Sequence, residues 1–61
     1  MPIIHITLIE GRDDETIEQC MRDVARTVQQ SLDIPLENIR VLVNEVPPNR
    51  FSIGDQLKTE L

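Results

Sequence analysis

Apolar and polar residues alternate near the start of the chain. From Ile3 to Ile9 the even positions Ile4, Ile6 and Leu8 are all apolar, whereas the odd positions Ile3, His5, Thr7 and Ile9 are mixed. A period of two puts the two sets on opposite faces of a β-strand. The even set is expected under a helix. The odd set is expected to face solvent or another subunit. Parity alone would put Pro2 with the even set, but a strand's first residue need not follow it, so its aim is left open.

Glu10-Gly11-Arg12 reads as a connection, with Gly11 allowing a turn that other residues resist. Asp13 is the expected N-cap, with Asp14 and Glu15 in the first turn, where the helix dipole favours negative charge. The pattern then changes to a helical period over about Asp14 to Leu32. The apolar positions Ile17, Cys20, Met21, Val24, Ala25, Val28 and Leu32 form one stripe. Glu18, Arg22, Asp23, Arg26, Gln29 and Gln30 take the other side, and Glu18 with Arg22 has the spacing of an ion pair. Cys20 on that stripe reads as a small core hydrophobe and not as a nucleophile, with Met21 as core filler.

Asp33-Ile34-Pro35 ends the helix, because the residue before proline avoids helical geometry. Pro35 to Asn38 reads as a single turn. From Ile39 to Val46 a second strand alternates, with Ile39, Val41 and Val43 directed at the helix. Arg40, Leu42, Asn44 and Val46 are left on the opposite face, beside His5 and Thr7. Strand, crossover helix and strand make a βαβ unit, so the two strands should be parallel. Pro47-Pro48-Asn49-Arg50 is expected to be a stiff, extended segment with a turn signal, and not helix. Phe51-Ser52-Ile53-Gly54 is expected as a short strand or hairpin arm, and Asp55 to Leu61 as a short polar tail ordered only against a neighbour. The expected fold class is therefore α/β (α+β): a small β-α-β monomer with two parallel strands, one long helix and a short C-terminal hairpin.

Size gives this pattern a consequence. The chain has 61 residues and one cysteine. A domain this small buries only about 60% of the surface its unfolded chain exposes. No internal disulfide can form, and His5 with Cys20 cannot make a structural zinc site. Association is the remaining source of stability. One helix on two strands also leaves Ile3, Ile9, Leu42 and Val46 partly bare. An obligate oligomer built around a single domain, residues 1–61, is expected.

The lone cysteine fits a reducing, cytoplasmic setting. The start is not basic and the apolar run stops at Glu10, so no leader is expected, and no stretch approaches the roughly 20 apolar residues of a membrane span. A net charge of −5 argues against nucleic acid as partner, but a local pair of arginines can still hold a small anion.

Candidate chemistry begins at Pro2. With Met1 removed, its nitrogen changes from an amide to a secondary amine. An amine in an apolar pocket beside cations can act as a base near neutral pH, because both surroundings disfavour its protonated form. Arg12, Arg40 and Phe51 each have an ordinary explanation: a solvated arginine, a strand arginine lying over apolar surface, and an interface aromatic. Together with a free Pro2 they describe a site, in which two cations clamp a dicarboxylate, an apolar wall excludes water and an amine moves protons.

Pro2-Ile3, Leu8-Ile9-Glu10-Gly11-Arg12, Ser31-Leu32-Asp33-Ile34-Pro35-Leu36, Ile39-Arg40-Val41 and Phe51-Ser52-Ile53-Gly54 together resemble the 4-oxalocrotonate tautomerase family in order and spacing along the whole chain. The resemblance implies a β-α-β monomer assembled as a homohexamer, a trimer of dimers, with sites shared between subunits. It implies Pro2 as catalytic base, Arg12 on the distal carboxylate, Arg40 on the 2-oxo or 2-hydroxy group and its carboxylate, and Phe51 as the wall. The implied reaction moves a proton along a 2-hydroxydienoate without metal or organic cofactor. The chain departs from the family at Asp55, where a second glycine is common, in its non-basic tail, and in the Pro47-Pro48 pair. Competing readings are a haloacrylate hydratase-dehalogenase or a decarboxylase, one subunit of a heterohexamer, and a non-enzymatic oligomeric module. The hydratase reading is weakened because no acid follows Phe51 until Asp55.

Overall fold

A computed structural model describes residues 1–60 of the chain; Leu61, the end of the expected tail, lies outside the described residues. Strand β1 (Ile3–Ile9) leads to helix α1 (Asp14–Leu32) and then to strand β2 (Arg40–Val46). The strands pair in parallel, from Ile3 opposite Arg40 to Ile9 opposite Val46, as the crossover requires. The Glu10 amide extends the ladder by donating to the Val46 carbonyl at 2.9 Å. A two-residue hairpin, β3 (Ser52–Ile53) with β4 (Gln56–Leu57), follows and pairs antiparallel.

The helix starts and stops where local chemistry dictates. The Asp13 carboxylate accepts the Thr16 amide at 3.3 Å, which satisfies one of the open donors of the first turn. Hydrogen bonding by the Thr16 side chain, and then by its amide, holds the Asp13 carboxyl below its ordinary range. At the other end Asp33 turns left-handed, with φ 54, and the Ile34 amide reaches back to the Gln29 carbonyl at 3.3 Å. That is a Schellman stop, with aspartate tolerating the position where glycine is commoner. Gly11, with φ 141, bends the chain between β1 and α1; a Cβ there would meet nothing, so glycine serves the backbone and not a close approach.

The even face of β1 and the odd face of β2 lie toward the helix. Ile4, Ile6, Leu8, Val41 and Val43 are half-buried, and Ile17 and Ile39 are the buried hydrophobics among the described residues. Ile3, His5, Thr7, Arg40, Leu42 and Asn44 form the exposed outer face. Pro2 keeps the alternation: it is half-buried between exposed Met1 and Ile3.

Four local expectations are corrected. Cys20 is exposed, not core. At 100° per residue it lies about 90° from the centre of the rest of the stripe, and a two-stranded sheet, about 10 Å wide, is no broader than the helix it supports. Leu32 belongs to the stripe but is also exposed. Glu18 and Arg22 do not pair; among the described residues the ion pair is Arg26 with Asp23 at 3.7 Å, and Gln19 donates to Asp23 at 2.9 Å. Pro48–Arg50 forms one 3₁₀ turn, closed by the Arg50 amide on the Pro47 carbonyl at 2.9 Å. Proline suits that first position because its missing N–H is not needed there.

The chain measures 43 × 24 × 14 Å, with a radius of gyration of 14.6 Å. A compact chain of this length would have about 10–11 Å. Its surface is 4788 Å². A compact monomer of this mass would expose about 4,000 Å², so the excess is close to the roughly 800 Å² that one partner buries in an ordinary interface.

Candidate functional site

Strand register brings two of the four candidate residues to one end of the sheet. The Arg40 amide donates to the Pro2 carbonyl at 3.1 Å, one step before the Ile3–Arg40 pair. The backbone at Pro2 is thus pinned by the ladder. Pro2 has no amide hydrogen within the chain, and this first strand position does not ask for one.

The Arg40 side chain is held by its own turn. Its Nη1 donates to the Glu37 carbonyl at 2.7 Å and to the Ile39 carbonyl at 3.3 Å. Glu37 lies in the 3₁₀ turn Leu36–Asn38, which the Asn38 amide on the Pro35 carbonyl at 3.1 Å and the Ile39 amide on the Leu36 carbonyl at 3.0 Å close. The sequence gives no side-chain signal for this grip, because both acceptors are main-chain carbonyls. Only Pro35, which sets the entry to the turn, hinted at a rigid approach.

Arg12 and Phe51 lie toward the other end. Arg12 is exposed in the connection that follows β1. Phe51 follows the Pro48–Arg50 turn beyond the end of β2, and the residue is 39% exposed. Its carbonyl accepts the Lys58 amide at 2.8 Å, which ties the hairpin arms together beside it. The hairpin turns on Gly54, whose φ of 63 is the left-handed first position of a two-residue connection. Asp55, the second residue of that connection, is exposed at the hairpin tip.

A seven-residue strand spans about 20 Å. Pro2 and Arg40 therefore lie too far from Arg12 for one small anion to touch both ends within a single chain. A concavity of about 620 Å³ lies elsewhere: it is an open groove along one flank of α1, lined by residues including Thr16, Cys20, Val24 and Val28. It lacks converging charged groups of the kind a catalytic pocket needs. Among the described residues no three His, Cys, Asp or Glu side chains gather as a metal ion would require. No helix among them is long and apolar enough to cross a membrane.

A family model described as tautomerase enzyme matches residues 2–61. The chain belongs to the tautomerase family. Among tautomerase relatives, a 2-hydroxymuconate tautomerase of Pseudomonas putida is 41% identical over 61 residues, covering 100% of this chain and 97% of the relative. Another 2-hydroxymuconate tautomerase, from Pseudomonas sp. strain CF600, is 48% identical over 56 residues, covering 92% and 89%. The fold agrees with solved tautomerases. A heterohexamer 4-oxalocrotonate tautomerase from Chloroflexus aurantiacus J-10-fl superposes with a TM-score of 0.93 at 31% identity, over 100% of this chain and 98% of that one. The structure called apo unFused 4-OT gives a TM-score of 0.93 at 36% identity over 100% of both chains. The β-α-β architecture with its C-terminal hairpin is thus the tautomerase fold, as its sequence pattern led one to expect.

Proposed function

We propose that this tautomerase moves a proton along 2-hydroxydienoates of the 2-hydroxymuconate type, with the Pro2 amine as general base. The observation that carries the reading is the family match itself, which begins on Pro2 and runs through Arg12, Arg40 and Phe51. Removal of Met1 frees the Pro2 nitrogen. The amine takes the proton of the 2-hydroxyl group and delivers one to the far carbon of the diene, so that a dienol becomes an α,β-unsaturated 2-oxo acid and the base is regenerated. Arg40 stabilises the negative charge that grows on the oxygen during transfer. Arg12 holds the distal carboxylate and sets the register of the substrate. Phe51 excludes water and helps keep the amine neutral. These side chains supply the acid–base chemistry by themselves, so the reading invokes no metal or organic cofactor.

The site closes between copies of the chain in this reading, as a homohexamer of one-domain subunits in a reducing, cytoplasmic setting. Three features support assembly: the separation of Pro2 and Arg40 from Arg12, the elongated shape, and the bare outer sheet face. A heterohexamer is the second reading, because a solved neighbour is one. A chain purified alone that forms an active hexamer would set it aside.

The test follows the ultraviolet band of a 2-hydroxydienoate with protein whose intact mass shows that Met1 has left. The band is expected to decay faster with the protein than without it, and protein that retains Met1, in which the Pro2 nitrogen is an amide, is expected to lose about 10²–10⁴ of the rate, the usual scale for a positioned base. Equal rates for the two preparations would sink the proposal.

A further inference from the structure

A guanidinium has two edges that can bind a carboxylate side by side: the end-on edge, Nη1 with Nη2, and the lateral edge, Nε with Nη2. In this chain Arg40 has already committed one nitrogen. Nη1 carries two hydrogens, and two carbonyls receive from it, Glu37 at 2.7 Å and Ile39 at 3.3 Å. Both acceptors belong to a short piece of backbone whose geometry is fixed twice. The 3₁₀ turn Leu36–Asn38 is closed by its own hydrogen bonds from Asn38 and Ile39, and the Arg40 amide is tied across to Pro2 at 3.1 Å. Pro35 begins the turn with φ −65, the value its ring imposes.

We propose that the turn Pro35–Asn38 is a positioning element for Arg40, and that it leaves the lateral edge, Nε and Nη2, as the fork that receives the substrate. This rests on the tautomerase reading above and adds to it the edge that is used and the device that selects it. A free arginine side chain samples many rotamers, and part of that freedom is lost when it grips a ligand. Here the loss is taken in the folded chain, before substrate arrives. The donors that remain are a matched pair in one plane. They fit the 2-oxygen and adjacent carboxylate oxygen of a 2-hydroxy or 2-oxo acid, which lie on the same side of the molecule when it is planar. A lysine at position 40 could supply charge but no fork.

The test is a double-mutant cycle on kcat/KM with a 2-hydroxydienoate, using the assembled enzyme. Pro35→Gly releases the entry to the turn without touching the guanidinium. It is expected to lower kcat/KM about fivefold or more in the parent, and by less than about twofold in an Arg40→Ala background, because coupled positions are non-additive. Arg40→Lys is expected to resemble Arg40→Ala more than the parent. If Pro35→Gly does not assemble, Glu37→Gly loosens the same turn and the same cycle is run. An equal loss in both backgrounds means that the turn acts on folding or assembly alone, and it overturns the proposal. A fully active Arg40→Ala would instead overturn the tautomerase role of Arg40, so the two failures are distinguishable.

Discussion

Leu42→Asp is expected to take the assembly apart. Leu42 projects from the outer face of the sheet, opposite His5 in register and close to Ile3 on the same face. It retains 47% of its exposure in the single chain, and Ile3 retains 66%. Full burial of such a side chain is worth about 1.5–3 kcal/mol, so covering the exposed half of Leu42 contributes roughly 1 kcal/mol per copy. Aspartate forfeits that contribution and adds the cost of placing a carboxylate in an apolar contact, several kcal/mol for an ion without a partner. Symmetry repeats the penalty in every copy. Sedimentation velocity at micromolar concentration should show the parent as one oligomeric species and Leu42→Asp shifted to the 7.0 kDa chain, with loss of dienol turnover. Urea unfolding of the variant should lose its dependence on protein concentration. If Leu42→Asp keeps the parent's mass and activity, this face is not covered by another copy and the shared-site account fails at that point.

Arg12→Ala is expected to raise KM for a dicarboxylate about 10- to 100-fold, the scale of a hydrogen-bonded charge, while a substrate lacking the distal carboxylate keeps its KM; equal losses on both substrates would remove Arg12 from the distal end. Asp13 gives a pH signature. Its folded carboxyl titrates below its ordinary range because Thr16 favours the ionised form, so its stabilisation is present at neutral pH and lost as pH falls through the carboxylate range. The urea midpoint of the parent should exceed that of Asp13→Ala at about pH 7, and the gap should shrink near pH 3; a gap that is the same at both pH values would contradict the cap.

The main elements could be read from periodicity because each obeys a one-dimensional rule. A strand alternates, a helix repeats its stripe, and Asp13 sits where an orphan amide needs an acceptor. Cys20 was misplaced because a stripe read from sequence has no width: whether a flank residue is covered depends on the breadth of the sheet beneath it, and two strands are too few. The turn at Pro48–Arg50 is legible, but its 3₁₀-helical form is not, because proline breaks a helix interior and yet suits a first helical position. The four candidate residues were visible as a set, but their placement at opposite ends of one sheet follows from strand register. The hold of Glu37 and Ile39 on Arg40 left no trace in the sequence, since every residue carries a carbonyl.

The most direct test of the account is kcat/KM for one 2-hydroxydienoate measured on two preparations of known intact mass, one without Met1 and one that retains it. Activity is expected in the first and a loss of about 10²–10⁴ in the second, because an amide nitrogen at Pro2 cannot accept the proton. Equal activity in both preparations would show that the Pro2 nitrogen is not the base.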